Sequence, residues 1–232
     1  MTTDHRKLEQ LIADWAGEVI RFYAKSKLEP DEDLRKFVQI FLFGYGEIVD
    51  SVDALKLSEV LLKVAKPRSR KLASDLYLKY IINSYIQEMY ILKKRLINYR
   101  TRLQRFYRRL NWDSEFEKAT NHLPTLVSKS LNGIIETRGR HVHQERYTDV
   151  DLDITSQLSF VAKFNESFDE RAREEYDWSK SLWHARVKAN NQILQDLLNI
   201  YFGAVFEGVT DNGELVWPNK GFNADAGKTG AG

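Results

Sequence analysis

No cysteine occurs in the 232 residues, so disulfides and thiolate-held metals are excluded. The histidines, His5, His122, His141, His143 and His184, are scattered. They form neither a His-x3-His nor a His-Glu-x-x-His helical pair. That argues against a metal site, and no cofactor is expected. No stretch is long and apolar enough to span a membrane, and the run from Met1 to His5 leads into charged residues without a signal-peptide core. The expected setting is the reducing cytoplasm, with no membrane association. Net charge is small as well. The 35 basic and 33 acidic residues leave +2, which alone says little about partners.

What the chain does contain is helical periodicity. Hydrophobic residues make up 43% and aromatic residues 12%, ample for a core. Leu8, Leu11, Ile12, Trp15, Val19, Phe22 and Tyr23 recur at spacings of three and four and predict a helix over 5–27. Pro30, followed by Asp31, Glu32 and Asp33, suits the start of a second helix running to about Lys66. Within it, Gly44 and Gly46 mark a close approach or a kink. The longest helical signal follows. Leu78, Tyr85, Leu92, Tyr99 and Phe106 form one heptad position and Ile82, Met89, Leu96, Leu103 and Leu110 the other, apolar throughout 33 residues. Such a seam packs either inside the subunit or against a second copy.

Asn111 to Ser114 end that helix and cap a short one, and Pro124 opens the next. Gln144 to Asp153 reads as a loop, with Asp151 or Asp153 as a helix cap. Residues 154–206 read as one broken helix or two consecutive ones, with Leu158, Val161, Ala162 and Phe168 as apolar positions of the first. Asp211-Asn212-Gly213 signals a hairpin, and Asn223 to Gly232 a flexible Gly-rich tail. The prediction is an all-α helical bundle, one domain over 1–206 with a long heptad helix, then a short hairpin and a tail over 207–232.

Charge is unevenly placed. Between Lys66 and Arg109, thirteen Lys and Arg face only Asp75 and Glu88, a net of +11 that leaves the rest of the chain at −9. Solvated helix faces usually mix signs, so this asymmetry points to a polyanion such as a nucleic acid. The binding candidates are Arg68, Arg70, Lys71, Lys93, Lys94, Arg95, Arg102, Arg105 and Arg109. Tyr77, Tyr80, Tyr90 and Tyr107 lie off the heptad seam, where they either stack on bases or cover a second packing surface.

Residues 131–147 read LNGIIETRGRHVHQERY. Arginines and histidines crowd together here directly after the apolar Leu131, Ile134 and Ile135. Histidine titrates near neutrality and serves as base or acid, and arginine offers a charged planar fork to phosphate oxygens. His143 is therefore the candidate proton-transfer residue and Arg138 the candidate phosphate ligand, with Arg140, His141 and Tyr147 in support. On a regular helix Arg138 and His143 would point about 140° apart. Either Arg138 reaches round, or Gly139 distorts the helix, or two copies of the motif meet.

The Arg-x4-His spacing of Arg138 to His143 resembles the signature of HEPN domains, all-helical proteins of which many are metal-independent ribonucleases in toxin–antitoxin and defence systems. The segment Tyr147 to Asp153 is similar to the Tyr- and Asp-rich stretch that often trails that motif. Gly139 stands where a polar residue is usual, and Tyr147 lies farther from His143 than in the His-x-Tyr form. The resemblance implies a HEPN-like fold, a homodimer whose two motifs share a cleft, and an antitoxin or other protein partner. Three functions are therefore expected in order: an endoribonuclease, a non-cleaving RNA or nucleotide binder, and a helical interaction protein.

Overall fold

The computed structural model describes residues 3–26, 29–64, 73–139 and 149–218. These form helices α1 (Thr3–Ser26), α2 (Glu32–Val38), α3 (Gly44–Lys63), α4 (Ser74–Arg109), α5 (Asp113–Thr120), α6 (Leu123–Gly139), α7 (Val150–Ala162) and α8 (Asp169–Val209), followed by strands β1 (Thr210–Asp211) and β2 (Glu214–Leu215). The architecture is an all-α bundle. The basic turn Lys66 to Lys71 and the tail from Asn223 lie outside the described residues.

The heptad seam of α4 packs inward. Leu78, Ile82, Tyr85, Met89, Leu92, Leu96, Tyr99, Leu103 and Phe106 are all buried, none more than 3% exposed. At about 1.5–3 kcal/mol per buried large side chain, this row is a major source of cohesion. The chain itself covers it, so the seam is not open to a second copy.

Contacts fall into two compact units, and α3, α4 and α8 each supply residues to both. Unit 1 comprises residues 1–46, 97–123 and 198–232. Its core is aromatic. Phe37 stacks on Phe41 at 5.0 Å and meets Trp15 edge-on at 5.1 Å, while Tyr107 stacks on Phe116 at 5.3 Å. Between α2 and α3 the backbone makes a π turn, Gln39–Phe43, and the reason lies opposite. A Cβ on Gly44 would stand 2.7 Å from the ring of Tyr99, and the Tyr99 hydroxyl donates to the Phe41 carbonyl at 3.1 Å. Gly44 thus supplies the close approach, and the π turn supplies the irregular helix geometry. Gly46 has nothing within 4 Å of such a Cβ. The hairpin forms as its sequence predicts: Thr210 pairs with Leu215 and Asp211 with Glu214. Asn212 (φ 49°) and Gly213 (φ 86°) both take the left-handed conformation that such a turn requires.

Unit 2 comprises residues 47–96 and 124–197. Polar bonds tie its helices. The Tyr85 hydroxyl donates to Asn191 Oδ1 at 3.3 Å, and Asn191 donates to Glu59 at 2.9 Å. Thr155 and Ser179, both buried, share a hydrogen bond of 2.8 Å between α7 and α8.

Four expectations are corrected. At 41 residues α8 is longer than the 36-residue α4. It runs unbroken through the polar stretch around Arg171 because Ala172, Tyr176, Ser179, Trp183 and Val187 keep one buried face. Helix α7 starts earlier than the expected loop allows, and its cap is Asp149, whose carboxylate accepts from Leu152 N at 3.2 Å. Asp151 and Asp153 lie in the first turn instead. Val161, expected on a core face, is 38% exposed. Asn111 turns left-handed (φ 56°) after α4, and the cap position of α5 falls to Trp112, without a side-chain bond.

Two outcomes follow. Gly44→Ala should destabilise the protein by about 1–3 kcal/mol through overpacking against Tyr99, whereas Gly46→Ala should be neutral or stabilising by up to about 1 kcal/mol; denaturant midpoints of the two variants check this. Burial raises the Tyr85, Tyr99, Tyr107 and Tyr201 hydroxyls well above 10.0. Above pH 10 the unfolded chain therefore loses phenolic protons that the folded chain keeps, and stability should fall as pH rises past that value. Melting temperatures measured from pH 8 to 11 should show the drop.

Candidate nucleic-acid interface

The positive charge of α4 divides once its side chains are placed. Arg102, Arg105 and Arg109 stand at spacings of three and four. At 100° per residue they fall within about 60° of one another, Arg102 and Arg109 along one edge of the seam and Arg105 farther round toward solvent. Arg105 and Arg109 are exposed and Arg102 is half-exposed. None of the three has an ion pair among the described residues. Arg108 beside them is held only loosely, 3.9 Å from Asp113. Cations near a helix C-terminus are favoured by its dipole, but several unpaired guanidiniums on one stripe repel one another and suit a ligand with repeating phosphates.

Other predicted cations have different duties. Arg95 turns inward within unit 2, donating to the Glu47 carbonyl at 2.7 Å and the buried Ser51 hydroxyl at 2.5 Å, with Glu88 3.5 Å away. It braces α3 against α4. Lys94 is exposed, its ammonium 5.7 Å over the Tyr90 ring. Lys93 donates to Asn132 Oδ1 on α6 at 2.8 Å, six residues before Arg138. Arg138 belongs to the last described turn of α6. Arg140, His141, His143 and Tyr147 lie outside the described residues, as do Arg68, Arg70 and Lys71.

The charge count missed an internal cation, Arg100. It is buried, donates to Gln104 at 2.6 Å and lies 3.3 Å from Glu117. Its wheel position signals this, four residues after Leu96 and three before Leu103. Of the off-seam tyrosines, Tyr80 is 69% exposed, whereas Tyr107 is fully buried and donates to the Val216 carbonyl at 2.9 Å. An open cleft of about 670 Å³ in unit 1 is lined by Trp112, Lys118, Glu115, Glu207 and Asp211, too acidic for phosphate. Among the described residues no group of three His, Asp or Glu is placed to hold a metal ion, and no helix is long and apolar enough to cross a membrane.

Comparison with protein-family models, with curated proteins and with solved structures gives no match.

The division of labour is measurable. Arg105→Ala and Arg109→Ala should each lower the salt slope of RNA binding by about 0.7–1 and shift stability by no more than about 0.5 kcal/mol. Arg95→Ala should cost about 1–3 kcal/mol of stability by orphaning its partners. Filter binding across a salt series, beside denaturant melts, separates the two roles.

Proposed function

We propose that the chain binds RNA through the outer face of α4 and cleaves it without a metal, in the manner of HEPN ribonucleases. The observation that carries the reading is the stripe of Arg102, Arg105 and Arg109, three guanidiniums along one side of the helix with no ion pair among the described residues, in a protein whose overall charge is only +2. Lys93 adds support by joining α4 to α6, the helix that leads into the Arg138–His143 motif.

The chemistry assigned to that motif is transesterification. His143 takes the ribose 2′-OH proton, the 2′-oxygen attacks phosphorus, and the 5′-oxygen departs with a proton from an acid. Arg138 stabilises the charge that builds on the phosphate oxygens. The products are a 2′,3′-cyclic phosphate and a 5′-hydroxyl. By resemblance the working unit is a homodimer with two motifs at one cleft, restrained by an antitoxin-like protein. Gly139 and the distant Tyr147 favour a second reading, an RNA binder that does not cut.

Incubating the purified chain with single-stranded RNA in EDTA decides between them. The expected result is cleavage with cyclic phosphate ends, reduced at least about 100-fold by His143→Ala while RNA retention persists. Salt-sensitive retention without cleavage selects the second reading. Loss of both cleavage and retention in the wild-type protein would sink both.

A further inference from the structure

Helix α7 is inside out. Its buried positions include Leu152 and Thr155, and the Ser156 hydroxyl is also shut away from solvent, with no hydrogen-bond partner among the described residues. Its outer side carries the apolar groups instead. Val150 is 73% exposed, Phe160 61% and Phe164, just beyond the helix, 79%; Ile154 and Val161 are exposed too. Val150, Ile154 and Val161 share one face by their spacing. Phe160 and Phe164 meet edge to face at 5.3 Å, a ready-made aromatic pair at its end. Scattered exposed hydrophobes are ordinary, but an apolar row outside and hydroxyls inside is the pattern of a covered face.

The charge around this face indicates what covers it. Between residues 163 and 178, Glu166, Asp169, Glu170, Glu174, Glu175 and Asp177 face only Lys163, Arg171 and Arg173, and none of these has an ion pair among the described residues. A second copy would bring the same net-negative rim against itself, which costs energy. A partner with excess lysine or arginine gains instead. An open cleft of about 370 Å³ adjoins, lined by Ala162 and Lys163 on one side and Ala172, Arg173 and Tyr176 on the other, room for a protruding side chain. We propose that the outer face of α7 docks a basic amphipathic helix of another protein, its apolar stripe on Val161, Phe160 and Phe164 and its cations on the acidic rim.

The test uses the full chain and a fluorescein-labelled amphipathic helical peptide of leucine and lysine, read by anisotropy. The same peptide with glutamate for lysine serves as the comparison. The lysine peptide should bind at least tenfold tighter than the glutamate peptide. Affinity should fall at least tenfold in Phe160→Ser/Phe164→Ser, whose exposed positions leave the fold intact, and severalfold in Glu170→Lys/Glu174→Lys. Glu115→Lys, an exposed acid of unit 1, should change nothing. Equal binding to wild type and the serine variant, or equal loss with Glu115→Lys, overturns the proposal. So does a wild-type dimer that the serine variant converts to monomer by light scattering, since a second copy then owns the face.

Discussion

Burial of the α4 seam is the constraint on which the other features rest. A helix whose Leu, Ile, Tyr and Phe positions must all be covered has no freedom about where its arginines go. Arg95, Arg102 and Arg109, spaced seven apart, flank one edge of the seam and Arg100 the other; Arg95 and Arg100 are drawn against polar partners, while Arg102 and Arg109 have no ion pair among the described residues. The division among cations of one phase is therefore set by the polar groups that neighbouring residues bring to that edge, as Glu47, Ser51 and Glu88 do for Arg95. The same burial brings Tyr99 onto Gly44 and draws its hydroxyl to the Phe41 carbonyl, so the π turn Gln39–Phe43 answers to the seam as well.

Charge is segregated at a larger scale. Basic residues gather on α4, while residues 149–177 hold nine acids against three bases. Some of those acids are structural: Asp149 and Asp151 sit beside Arg186, at 3.4 Å and 3.6 Å, and Asp153 bonds to Lys79 at 3.0 Å. These bridges pin the first turn of α7, directly after the segment that carries the arginine–histidine motif. A near-neutral total thus conceals a basic stretch on α4 and an acidic stretch over 149–177.

Much of this was legible in the residues. The seam, the hairpin at Asn212-Gly213 and the alternatives offered for Gly44 follow from spacing and turn chemistry, because long-period patterns and left-handed turns leave strong local signals. The course of α8 was not legible: its buried face uses Ala172 and Ser179, small residues that an apolar count passes over. The exposed side of α7 misled for the opposite reason, since Val161 reads as a core residue by spacing and only tertiary packing reveals that it faces solvent while the Thr155 hydroxyl is buried. The cap at Asp149 was hidden among neighbouring aspartates of equal propensity. Of the candidate site, charge could be counted, but which arginines were already engaged depended on partners far away in sequence, such as Glu47 for Arg95, since Arg95, Arg102 and Arg109 share one heptad phase.

Unit 1 draws its core from the beginning, middle and end of the described chain: Trp15 meets Trp217 at 5.8 Å, and Tyr45 meets Phe202 at 5.2 Å. During synthesis, residues 1–46 must wait for about 150 further residues before residue 198 and its successors exist. At ordinary ribosomal speeds that is on the order of ten seconds. Through that interval Trp15, Phe37 and Phe41 lack part of their cover, so the nascent chain is the form of this protein most exposed to aggregation and to chaperones, well before its own ligands become relevant.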